Sequence, residues 1–198
     1  MHEPCTKVNP DPGNLYRCTF EDGHPCGFTP AYNPAAFHLN WKIYQGKDTH
    51  IKTADHTLKT LLGHYYALDF YNLEKNDLQT TEHVRIFSNF FRPTRGTCVT
   101  FSYYMTGQVN NESLNLYIKS GDQDIVRPSW AATGDLGPFW YSHRMTVSSE
   151  LKWKIGFDVN TYQSDKGLIA IDDVIVELDK PCPPKGICDF EVGQLGNE

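Results

Sequence analysis

Apolar residues stand at every second position through much of this chain, and that period of two decides what it can fold into. His64–Phe70, His83–Phe87, Cys98–Met105, Ser113–Lys119, Phe139–Val147, Lys152–Val159 and Leu168–Leu178 all alternate in this way and are crowded with aromatic and β-branched residues, the composition of strands that pack one face. Gly, Pro, Asn and Asp punctuate between them, at Pro93–Gly96, Asn110–Asn111, Gly134–Pro138 and Asp165–Gly167. Many strands separated by turn signals predict an antiparallel sandwich rather than a parallel α/β sheet. The expected fold class is all-β, with one short helix over Ala54–Leu62 as the exception.

One stretch breaks the alternation. In "LIAIDDVIVEL" strict alternation puts Ile169, Ile171, Asp173 and Ile175 on one face and Leu168, Ala170, Asp172, Val174, Val176 and Leu178 on the other. Both faces are apolar, as in a central strand covered on each side, and each carries an aspartate. A buried carboxylate without a partner costs several kcal/mol. Backbone N–H groups, an arginine such as Arg85 or Arg144, or a bound cation would each supply one.

With 18 basic and 24 acidic residues among 198, the chain is mildly acidic and its charges are scattered. No basic cluster suggests a nucleic-acid footprint or attachment to an anionic membrane, and no apolar run approaches the length of a membrane-spanning helix. The six cysteines, at 5, 18, 26, 98, 182 and 188, include no CxxC pair, so disulfides in an oxidising compartment fit better than thiolate–metal chemistry. Six cysteines allow fifteen pairings. The sequon Asn111-Glu112-Ser113 lies in a polar, turn-like stretch and is a candidate glycosylation site.

Several segments, taken in order, resemble the MAM domain found in meprins, neuropilins and receptor tyrosine phosphatases. They are "CTFEDGHPCGFT", Asp55-His56-Thr57 with Gly63-His64-Tyr65, "CVTFSYYMTG", "LNLYIK", "GDLGPFW" and "GLIAIDDV", followed by Cys182. The resemblance runs from Cys18 to Cys182. It departs at Asn40-Trp41, where family members usually show Asp before Trp. The resemblance implies a jelly-roll-like antiparallel β-sandwich with disulfides Cys18–Cys26 and Cys98–Cys182. Cys5 and Cys188 are then left over, either to pair with each other or to belong to neighbouring modules. The hexapeptide Cys18–Gly23, CTFEDG, is echoed by Cys188–Gly193, CDFEVG, as if a second module begins there. The expected organisation is a lead-in or the end of a preceding module over 1–15, the domain over 16–182, and a linker with the start of a following module over 183–198.

No constellation for catalysis stands out. Eight histidines are dispersed without HExxH, there is no nucleophile elbow or Walker loop, and Asp172, Asp173 and Glu177 lack the spacing of a glycosidase carboxylate pair. The resemblance implies instead a non-catalytic extracellular adhesion or oligomerisation module, with a protein partner or a second copy of itself. Phe139-Trp140-Tyr141 and Phe90-Phe91 are its candidate anchors. A carbohydrate-binding jelly roll is the alternative, and it calls for a sheet face bearing aromatic and amide side chains. Jelly rolls often tie strand ends together through calcium, which takes six to eight oxygens. The candidate ligands for a structural Ca2+ are Glu21, Asp55 and Asp173, with Asp22 and Asp172 as close substitutes.

Overall fold

A computed structural model describes residues 14–31, 39–72, 82–109, 111–122, 127–161 and 166–184. Cys5 and Cys188 lie outside these residues. Eleven strands carry the fold: β1 Leu15–Cys18, β2 Thr29–Pro30, β3 Lys42–Gln45, β4 His64–Asp69, β5 Glu82–Phe87, β6 Thr94–Gly107, β7 Ser113–Ser120, β8 Trp130–Thr133, β9 Trp140–Ser149, β10 Trp153–Thr161 and β11 Gly167–Glu177. A 3-10 turn at Phe70–Asn72 is the one helical element among the described residues. The helix expected over Ala54–Leu62 is a loop of bends and turns, because its backbone amides are drawn to the side chain of Asp55 instead of to one another.

Every pairing is antiparallel. One sheet runs β3-β4-β11-β6-β9 with β1 also paired to β11, and the other runs β2-β5-β10-β7-β8. Their inner faces meet in a single core of Phe20, Phe28, Trp41, Tyr66, Phe101, Met105, Leu116, Trp153, Phe157 and Ile171, among others. Trp41 links the sheets directly, its indole N–H donating to the carbonyl of Val84 at 2.9 Å, as a buried indole requires. The outer face of the six-stranded sheet is apolar as well. There Tyr65, Ala67, Tyr104, Leu168 and Ala170 form a smaller cluster with Tyr44, Ile51 and Trp140. The loop between β3 and β4 covers it, and Tyr65 Oη bonds Thr49 Oγ1 at 2.9 Å while Trp140 Nε1 donates to the Ala54 carbonyl at 2.8 Å.

Strict alternation along β11 fails at its centre. The register against β6 slips between Asp172 and Ile175, and Asp173 sits at φ 48°, in the left-handed region that residues with a Cβ seldom adopt. The extra residue reverses the side-chain parity. Ile169 and Ile171 before it, and Val174, Val176 and Leu178 after it, all enter the same core. Leu168, Ala170 and Asp172 therefore share the outer face, and the aspartate belongs to the layer under the loop.

Both disulfides implied by the family resemblance are present: Cys18–Cys26 spans 8 residues and Cys98–Cys182 spans 84. Chain-entropy reasoning makes the longer closure the larger contribution. Replacing Cys98 and Cys182 by serine should lower unfolding free energy by about 4–5 kcal/mol, against about 2–3 kcal/mol for the same change at Cys18 and Cys26. Guanidinium unfolding of the two double variants measures both, and equal losses would contradict the loop-length account.

Candidate metal centre

β11 has two partners on one of its edges. β4 pairs with its first half, ending at Tyr66 opposite Ile171, and β1 pairs with its second half, beginning at Cys18 opposite Val174. The bulge residues Asp172 and Asp173 fall in the gap where one neighbour gives way to the other. Chain leaving β1 supplies Glu21, and the loop leading into β4 supplies Asp55. Local sequence places both. Phe20 takes φ 58°, turning the chain so that its own ring is buried in the core while Glu21 faces the gap. Gly63 admits Asp55, since a Cβ there would stand 2.1 Å from the aspartate's Cγ.

The three carboxylates converge. Glu21, Asp55 and Asp172 each present an oxygen within 4.8 Å of the others. Asp55 and Asp172 are fully buried and Glu21 is partly so. Each is fixed by backbone N–H groups from another segment or from its own turn. Asp172 Oδ2 accepts from the amides of His56 (2.9 Å) and Thr57 (3.2 Å), and its Oδ1 from Asp173 (2.7 Å). Asp55 Oδ1 accepts from the amide of Thr60 at 2.9 Å and its Oδ2 from that of Leu58. Glu21 Oε1 accepts from the amide of His64 at 3.1 Å.

Those amides do not neutralise three neighbouring acids. Burial pushes the Glu21 carboxyl up to about 7, with the negative charges of Asp55 and Asp173 adding to the rise and the His64 amide opposing it. Burial, followed by the charge of Asp173, raises Asp172 to about 8 against the pull of its three amide donors. The gap therefore favours positive charge, whether as protons or as a cation.

The remaining candidate ligands are placed differently. Asp173 lies beside the trio, but its oxygens face His56 Nδ1 (2.5 Å) and Thr57 Oγ1 (2.9 Å). His56 Nδ1 also lies 3.2 Å from Ser102 Oγ. Asp22 is exposed and receives the amide of His24 at 3.1 Å. Among the described residues neither Arg85 nor Arg144 is paired with the trio: Arg85 stands on the other sheet with Asp158, and Arg144 lies on β9 opposite Thr100. Asn40, where family members usually carry Asp, is exposed. Asn111 is exposed in a turn, a position open to a glycan.

An all-oxygen set bearing three carboxylates on separate segments suits a hard cation. Glu21, Asp55 and Asp172 are the residues that would hold such an ion, and it would supply charge neutralisation there. Sequence reasoning missed what the same loop carries outward: Leu58, Leu61 and Leu62 are 43%, 44% and 62% exposed. Their spacing of three to four fits the buried stripe of a short helix as well as it fits a loop, so nothing in the sequence marks them as surface.

This architecture has relatives. The chain is 27% identical over 165 residues to MAM domain-containing protein 2 of Homo sapiens, matching 82% of this chain and 23% of that protein. It spans about a quarter of the length of the curated relatives it matches. Among solved structures, the K1 cleaved adhesin domain of Lys-gingipain from Porphyromonas gingivalis W83 superposes with a TM-score of 0.59 at 15% identity, over 85% of this chain and 100% of that one. The TmCBM61 module, solved with β-1,4-galactotriose, gives 0.54 at 12% identity, over 81% of this chain and 94% of its own. At these identities the two structures share the fold alone. The family model described as "MAM domain, meprin/A5/mu" matches residues 18–183, most of the chain, and the chain belongs to the MAM domain family.

Proposed function

We propose that this MAM domain is a non-catalytic extracellular module for adhesion or oligomerisation, making protein–protein contacts within a larger cell-surface or secreted protein. The observation that carries the reading is that one buried acidic cluster joins the Cys18–Cys26 loop, the loop over 54–63 and the β11 bulge, and that the loop so held presents three leucines to solvent. Carboxylates engaged by backbone amides on separate segments suit a clip between strand ends. A calcium ion in that clip has a structural role: it replaces the protons that burial retains on Glu21 and Asp172 and fixes the loop's leucines in one arrangement. Exposed leucines on a fixed loop bind at lower entropic cost than on a moving one, and a second copy of the same module is the partner we assign to them. The disulfides fit an oxidising, extracellular setting.

The protonation of the trio sets the sign of a pH test. Glu21 and Asp172 hold protons more tightly folded than unfolded. Without divalent cations, stability should fall as pH rises from the ordinary carboxylate range through about 7 and about 8. The melting temperature in EDTA is expected to be lower at pH 8.5 than at pH 5.5, and added calcium should raise it more at pH 8.5. A melt unchanged by calcium at both pH values would remove the ion from the reading.

The partner is tested separately by sedimentation equilibrium in calcium. Self-association should weaken at least tenfold in the double variant Leu58→Ser/Leu62→Ser, which leaves the amide bonds to Asp55 in place. A purely monomeric wild-type domain at 100-fold the concentrations used for the melts would sink the assignment of a second copy.

A further inference from the structure

Among the described residues, the outer face of the five-stranded sheet has none of the apolar cover of its counterpart. Ile155, Phe157 and Val159 of β10 point into the core, so Gly156, Asp158 and Asn160 point out. Register places their neighbours: Arg85 of β5 and Asn115 of β7 flank Asp158, His83 and Ser113 flank Asn160, and Phe87 and Tyr117 flank Gly156. Charged and amide side chains on an outward face are ordinarily solvated. Here Asp158 has no exposed surface and Asn115 has 5%.

The hydrogen bonds on this face are incomplete. Asp158 Oδ2 accepts from Arg85 Nη2 at 2.9 Å and lies 2.9 Å from His83 Nδ1. Asp158 Oδ1, Arg85 Nε and Asn160 Oδ1 are buried and have no partner. Two of these atoms need a donor and the third needs an acceptor. A metal cation would answer the oxygens and be repelled by Arg85; a simple anion would answer Arg85 and be repelled by Asp158. A hydroxyl group donates and accepts at once, and adjacent hydroxyls on one ring meet both demands with no net charge. The Arg85–Asp158 pair is itself neutral, which matches an uncharged ligand.

The platform also has a long side chain as its cover and an aromatic floor. The Arg85 guanidinium lies over the Tyr117 ring, 4.9 Å from its centroid, and the Arg85 side chain is 26% exposed. A shift of that guanidinium off the ring, with its Nε still on this face and within reach of the carboxylate, would open Asp158 and the face of Tyr117, against which the apolar face of a sugar can stack. Strand spacing makes the patch about 10 Å across three strands and about 7 Å along them, room for roughly one or two sugar rings.

We propose that the outer face of β5, β10 and β7, centred on Arg85, Asp158 and Asn160, binds a neutral oligosaccharide. The site lies on the sheet opposite the acidic seam and the exposed leucines, so it stands or falls independently of the calcium clip and of self-association. The experiment is a 15N–1H NMR titration of this chain with cellohexaose, chitohexaose, mannohexaose and lacto-N-neotetraose, with a heparin dodecasaccharide as the anionic comparison. At least one neutral oligosaccharide should shift amides in 82–87, 113–117 and 153–161 saturably. Arg85→Lys, which keeps the charge and loses Nε, and Asn160→Ala should each weaken that binding at least tenfold with the melting temperature kept. The proposal is overturned if no neutral oligosaccharide gives a saturable shift at millimolar concentration, if the shifts map elsewhere, if heparin alone binds, or if both folded variants bind as wild type. A crystal structure grown with the tightest-binding oligosaccharide that shows only ordered waters on the three atoms also overturns it.

Discussion

One extra residue in β11 organises this domain. If that strand alternated strictly, Val174, Val176 and Leu178 would face the same way as Leu168 and Ala170, and half of the core would lose its central strand. The bulge at Asp172–Asp173 turns the second half of β11 inward. Its cost is a non-glycine residue in the left-handed region and an acid among hydrophobes. Both costs are offset in the same place. The side chain of Asp173 is held by His56 and Thr57, that of Asp172 by three amides, and the gap between β4 and β1 admits the loop that brings those donors. The acidic cluster is thus a consequence of how the core is completed.

The two outer faces of the sandwich solve opposite problems. On the six-stranded sheet the exterior is apolar, and the chain covers it with its own loop, anchored by Thr49 and by the Trp140 indole. On the five-stranded sheet the exterior is polar yet desolvated around Asp158, with hydrogen-bonding capacity unspent. Covering the first face leaves leucines on the loop's far side, and packing the second leaves polar atoms waiting for partners. Both surfaces arise because a sheet of alternating side chains must present something outward once its inner face is filled.

Strands with clear alternation were legible in the sequence, and β4, β5, β6, β7, β9, β10 and β11 stand close to where the period of two puts them. β1, β2, β3 and β8 were not, since stretches of two to four residues are too short to show a period. The loop at Ala54–Leu62 read as helical because a leucine spacing of three to four carries no information about an aspartate capturing the amides. Sequence points to Glu21, Asp55 and Asp173 first, with Asp22 and Asp172 as substitutes, whereas the acids that converge are Glu21, Asp55 and Asp172. Their convergence depends on β1 and β4 sharing one edge of β11, a long-range pairing that local pattern does not encode. The parity reversal was hidden for the same reason, since a bulge shows in sequence only as apolar residues on both faces. Arg85 was weighed as a partner for those acids, and the register instead sets it beside Asp158.

The disulfide from Cys182 to Cys98 has a mechanical meaning. β1 lies antiparallel to β11, and the amide of Leu178 bonds the carbonyl of Asn14, so the chain comes in beside the place where it leaves the sheet. A pull on two such adjacent points would peel β1 from β11 one hydrogen bond at a time, the weakest way to load a sheet. The cross-link changes the route. Tension arriving beyond Pro184 reaches Cys182 and passes through sulfur into Cys98, on β6, a 14-residue strand paired on both edges. β11 no longer carries the covalent load itself, but it lies between the two loaded strands, β1 and β6, and is paired to both.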